Sequence, residues 1–174
     1  MRRQGNWGLE LRGDGLDVSQ LEQVIVGWFP PAVRTRAGEY LFVHATRARE
    51  LAEAAAQAGL AFVERLDLWS YILEEFLDTS FSEESQQRTL ELLERNGVSR
   101  AEVAELRELV KEPMLRLTAA TWEWVHYGLF DLLCAMEVKP GSAFAARVME
   151  VADRGPVKPS SREALERLFP PAET

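Results

Sequence analysis

The sequence is poor in the residues that most often carry chemistry. It holds one cysteine, Cys134, and two histidines, His44 and His126, among 174 residues. A single cysteine excludes an internal disulfide framework and every cysteine-based zinc cluster. Lysine occurs three times against seventeen arginines, and asparagine twice. That is the coding bias of a GC-rich bacterial genome, and a bacterial protein is expected. The longest apolar stretch, Val24 to Val33, is broken by Gly27, Pro30 and Pro31, far short of the roughly 20 residues a membrane helix needs. No apolar run follows Met1-Arg2-Arg3, so no secretory signal is expected and the cytoplasm is the expected compartment. There is no Gly-x-Ser-x-Gly elbow, phosphate loop, dinucleotide fingerprint or internal repeat.

Charge is plentiful but uneven. Asp and Glu total 28 against 20 Lys and Arg, a net charge of −8. That sign opposes nonspecific attraction to nucleic acid or an anionic membrane, and neither partner is expected. Residues 74–112 hold 11 acids and five bases and so carry −6 of the total, while each flank is near neutral at −1.

Period-two alternation of Trp7, Leu9 and Leu11 predicts a strand over residues 6–12. Asp17 with Gln20 has the form of a capping box, and Leu21, Val24 and Ile25 then predict a helix. Residues 32–45 read as a hairpin turning at Ala37-Gly38. A second helix, capped by Thr46, carries Ala48, Leu51, Ala52, Ala55 and Ala58 and stops at Gly59. Leu60–Leu66 suits strand or helix, and strand is favoured because it would complete a sheet. Residues 1–66 are thus expected to form a small α+β lobe, an antiparallel-type sheet with two helices.

From Asp67 the pattern turns helical, and residues 67–174 are expected as an all-helical lobe, either separate or continuous with the first. Trp69, Ile72, Leu73 and Phe76 mark one helix. Ser80 with Glu83 opens the next, buried at Leu90 and Leu93 and ended by Asn96-Gly97. Ser99 with Glu102 opens a third, bearing Val103, Leu106 and Val110. Pro113 suits the first turn of a long central helix from Met114 to Val138, with Trp122, Val125 and Leu129 buried. Helices near 143–152 and after Ser160 complete the chain.

Glu123 and His126 stand one helical turn apart, a carboxylate–imidazole spacing used in di-iron bundles. Such bundles use two pairs plus two further Glu residues. Here there is one pair, with only Glu74, Glu75 or Asp78 to add, so a structural histidine is expected, with no metal and no cofactor. Leu93 to Leu106 resembles a helix-turn-helix, but bulky Leu93 and the acids Glu102, Glu105 and Glu108 suit an ordinary helical hairpin better than a DNA-reading helix. Cys134 has no histidine at an adjacent helical position and reads as structural. Arg34, Arg36, Arg47 and Arg49 lie among Glu39, Glu50 and Glu53, as on a solvated face.

The expected function is that of a non-enzymatic interaction or regulatory module. Glu94, Glu105 and Glu108 are the candidate partner-binding residues and a basic protein surface the candidate partner, with Leu92 or Leu109 as apolar contacts. Self-association is compatible with this. A metal- or small-ligand-binding enzyme centred on Glu123 and His126 is the alternative, and a DNA-binding regulator ranks last.

Overall fold

The computed structural model describes residues 7–10, 17–77, 82–121, 126–137 and 142–170. The chain is an α+β protein. Its elements fall into two units: residues 1–66, 139–146 and 157–174 in the first, 67–138 and 147–156 in the second. Sequence position alone assigns everything after residue 66 to one helical lobe, yet of the described residues 142–146 and 157–170 cluster with the sheet.

The first unit is a six-stranded sheet in the order β1-β4-β3-β2-β5-β6. The strands are β1 (Trp7–Glu10), β2 (Leu21–Val26), β3 (Ala32–Thr35), β4 (Tyr40–Val43), β5 (Ala61–Arg65) and β6 (Val157–Pro159). β3 pairs antiparallel with β2 and β4, and β6 with β5, whereas β1/β4 and β2/β5 are parallel. The sheet is therefore mixed, not simply antiparallel. The crossover through α1 (Ala48–Gln57), between β4 and β5, makes this possible, since parallel neighbours need a long connection.

A helix over Leu21–Ile25 does not form. Asp17 does cap, accepting from Ser19 N at 3.1 Å, but only a single 3-10 turn, Val18–Gln20, follows before β2. Val24, Ile25 and Val26 are each at most 2% exposed. β2 thus buries both faces, and a continuous apolar run reads alike for a helix and for such a strand. Of the two helices expected in residues 1–66 only α1 is present among the described residues, and its companion, α7 (Arg162–Leu168), comes from much later in the chain. One face of the sheet packs Leu21, Val24, Val26, Val33 and Val43 against Leu51, Ala52 and Ala55 of α1 and Leu165 of α7. On the other face Trp28 lies 5.1 Å from Tyr40 and 6.0 Å from Phe42, ring centre to ring centre. β6 closes one sheet edge with three exposed residues, the last of them Pro159, which has no N–H to offer a further strand.

In the second unit, α2 (Leu68–Ile72) continues into a 3-10 turn, Leu73–Phe76, and buries Trp69, Ile72, Leu73 and Phe76 as their spacing predicts. α3 (Glu83–Arg95) and α4 (Arg100–Thr121) form the expected hairpin. α4, however, runs straight through Pro113. An interior proline forfeits a backbone hydrogen bond and costs roughly 3 kcal/mol. The buried stripe Val103, Leu106, Val110 and Met114 passes through that position, and its burial offsets the loss. The long helix from Met114 to Val138 is accordingly absent. Met114–Thr121 belongs to α4, residues 126–128 are not helical, and α5 (Leu129–Ala135) is a separate helix. Leu129 is buried as expected, whereas Trp122 and Val125 lie outside the described residues.

α6 (Ala143–Asp153) begins in the first unit and ends in the second. Two caps fall one or two residues from their expected positions: Ser82 caps α3 in place of Ser80 (itself outside the described residues), and Ser161 replaces Ser160. Thr46 does not cap α1, whose N-cap, Arg47, makes no side-chain bond; His44 caps the 3-10 turn Ala45–Arg47 that precedes it. Among the described residues no helix is long and apolar enough to cross a membrane.

Candidate functional site

The acidic segment folds as the α3–α4 hairpin. Gly97 turns it with a φ of +78°, so that Val98 N can donate to Leu93 O at 3.0 Å. With α4's inner side committed to the core, its outer side presents Glu105, Glu108 and Glu112 in one line, at spacings of three and four. Leu109 and Leu115 flank that line at 52% and 50% exposure, among the largest exposed apolar side chains in the molecule. Leu115 lies outward because Met114 takes the inward position. Leu92 is half-buried on α3, so the apolar contacts available to a partner are Leu109 and Leu115.

Of the candidate partner-binding residues, Glu94 is exposed at the end of α3 and pairs with Arg100 at 3.1 Å. Glu108 pairs with Lys111 at 3.2 Å, while Glu105 has no such partner among the described residues. Glu112 pairs with Arg116 at 2.8 Å, so such exposed pairs add little stability and leave the line a net charge of −1, carried by Glu105. Glu102 behaves differently. Its carboxylate is sheltered and accepts from both Arg147 and Arg154, and Arg154 also donates to Gly97 O at 2.8 Å. These bonds tie the turn of the hairpin to α6. The same two arginines hold the Glu150 carboxyl below its usual range through hydrogen bonds. Arg34, Arg36, Arg47 and Arg49 each bond a nearby group, respectively Glu22, the Ser19 carbonyl, Glu50 and Glu53.

A second constellation surrounds Asp67, which the sequence marks only as the residue before a helix. Its carboxylate is buried and split between two elements. Oδ1 accepts from Trp69 N at 3.0 Å and so caps α2, and Oδ2 accepts from Leu129 N at 2.9 Å and so caps α5. Asp131 reaches back to Gly128 N at 2.9 Å, completing the start of α5. These caps are why the expected long helix breaks before Leu129. Desolvation pushes the Asp67 carboxyl up to about 6, opposed first by the two amides and then by the charge of His126.

Gly128 leaves room for this arrangement. A Cβ there would lie 2.7 Å from Asp67 Oδ2 and 3.4 Å from His126 Nε2. Gly128→Ala should therefore destabilise the second unit by about 1–3 kcal/mol, as overpacking does. A thermal melt matching the wild type would show that the carboxylate can move aside.

His126 is thus exposed beside a buried carboxylate, and that carboxylate is Asp67. Glu123, its expected partner, lies outside the described residues. No group of three His, Cys, Asp or Glu side chains among the described residues could hold a metal ion. Cys134 is exposed on α5, with its thiol pushed up by partial burial and by Asp131, which disfavours the reactive thiolate. No protein-family model, curated protein or solved structure matches the chain.

Proposed function

We propose that the chain is a non-enzymatic protein-interaction module, bacterial and cytoplasmic, that docks a basic partner surface on the outer face of α4. The observation that carries this reading is the line Glu105, Glu108 and Glu112 flanked by exposed Leu109 and Leu115. An acidic stripe steers a basic partner into register, and two apolar side chains supply area to desolvate on contact. Self-association through the same face is disfavoured, because two copies would oppose acid to acid. DNA is disfavoured for the same reason.

Affinity capture from cells producing the tagged chain, run beside Glu105→Lys/Glu108→Lys/Glu112→Lys and Leu109→Ser, tests the assignment. A basic partner should be held by the wild type and lost at least about tenfold by the charge-reversed variant. It should also be lost in about 1 M salt, where the Debye length shrinks to about 3 Å. Capture of the same partners by a folded charge-reversed protein would remove α4 from the interaction and leave its acids as ordinary solvation.

A further inference from the structure

Away from α4, the first unit carries an open cleft of about 330 Å³. Its floor is Val26 and Gly27 at the carboxyl end of β2, beside Glu64 near the carboxyl end of β5, and α7 supplies the facing wall. This is the end of parallel strands at which open α/β sheets place their ligands. The walls are mainly apolar, from Val26, Phe29, Ala164 and Leu168, and two large side chains stand unusually open, Phe29 at 42% and Leu168 at 41% exposure. Phe29 is not loose, since its ring packs on Phe169 with centres 4.9 Å apart.

Two opposite charges also line the cleft, Glu64 and Arg167. Among the described residues neither side chain makes a hydrogen bond or an ion pair, and they do not pair with each other. Glu163, one turn earlier on α7, acts on Arg167 only through space. Elsewhere on this surface arginines find carboxylates readily, as Arg162 does with Glu166 on the same helix. A guanidinium and a carboxylate that line one apolar-walled cleft without pairing present complementary ends to one small molecule.

We propose that this cleft binds a small zwitterion with an apolar body, the chemistry of a free apolar α-amino acid. Its carboxylate meets Arg167, its ammonium meets Glu64, and its side chain covers Phe29 and Leu168. The volume lies at the small end of ligand pockets. A nucleotide or other polyanion is opposed by Glu64, and a fatty acid would leave Glu64 desolvated without a partner. Gly27 keeps the floor open. Its φ is +101°, and a Cβ there would stand 3.4 Å from Arg65 O and 3.6 Å from Glu64 Cγ.

Titration calorimetry and saturation-transfer NMR on the full chain, with free leucine and phenylalanine as probes, decide the matter. Leucinamide lacks the carboxylate and N-acetyl-leucine the ammonium, so each should bind about tenfold or more weakly than leucine, the factor one lost charge-assisted bond produces. Arg167→Gln should weaken leucine to the same degree while leaving leucinamide unchanged, and Glu64→Gln should do so while leaving N-acetyl-leucine unchanged. Both side chains are exposed, so both variants should fold. Absence of saturable binding by either amino acid, or equal binding of leucine by the wild type and both variants, would overturn the proposal.

Discussion

Trp69→Ala is expected to remove about 3–5 kcal/mol of stability, the range for a large buried aromatic. Trp69 is fully buried in α2, and its Nε1 donates to Val148 O on α6 at 3.0 Å. One side chain therefore supplies apolar area and a hydrogen bond across 79 residues of chain. Domain stabilities run to about 5–15 kcal/mol, so the second unit of this variant should be close to unfolding at ordinary temperature. Trp69→Phe separates the two contributions. It keeps most of the ring and gives up the bond, a loss of about 1 kcal/mol. Chemical denaturation followed by far-ultraviolet circular dichroism measures both. A midpoint for Trp69→Ala indistinguishable from wild type would mean that the second unit is anchored elsewhere.

The second large effect belongs to Asp67 and is written in pH. Its carboxyl titrates at about 6 in the folded chain against an ordinary 3.8, so the folded state binds the proton more tightly than the unfolded state. The stability this contributes is fully present below about pH 4 and is lost as the pH rises through about 6, on the order of 3 kcal/mol in all. Most acid-labile proteins slope the other way, and Glu150 and Glu163, held low by hydrogen bonds, do so here. The informative quantity is therefore the difference between wild type and Asp67→Asn, measured by denaturation between pH 4 and 8. In that difference the wild type should gain on the variant as the pH falls. Asp67→Ala is the harsher change: it leaves the amides of Trp69 and Leu129 unpaired and should cost about 2–4 kcal/mol above pH 6, and more as the pH falls and the wild type gains its proton-linked stability. A wild type and an Asp67→Asn variant with parallel pH profiles would show that the buried carboxylate does not titrate in this range.

The α+β class was legible because period-two and period-3.6 patterns are local. The hairpin of β3 and β4, the α1 stripe, the α3–α4 turn at Gly97 and the favoured strand at 61–65 all follow from neighbours in sequence. What failed was non-local. Leu21–Val26 is a strand because it pairs between β3 and β5 and packs against α1 and α7, segments remote in sequence, and its six letters alone suit a helix equally well. Pro113 sits inside a helix because a buried stripe runs through it, and the long helix ends before Leu129 because Asp67, 62 residues earlier, claims the Leu129 amide. The acidic outer face of α4 was visible in composition and spacing. Asp67 was not, since a helix-capping aspartate carries no sign of the second helix it will cap. Glu64 and Arg167 were equally invisible as a pair, being 103 residues apart and joined only by the return of α7 to the sheet.

The return of residues 157–170 to the sheet imposes an order of events on a chain emerging from the ribosome. The helical unit has all its residues once position 156 is made. The sheet unit, begun first, still lacks β6 along β5 and Leu165 in its core at that moment. Until the last helix is synthesised, β5 remains an open edge and the apolar faces of β2 and α1 lack one of their covers. Of the two units, the one whose strands come first is thus the last to close, and the nascent chain carries an unfinished, pairing-competent sheet while the helical unit is made.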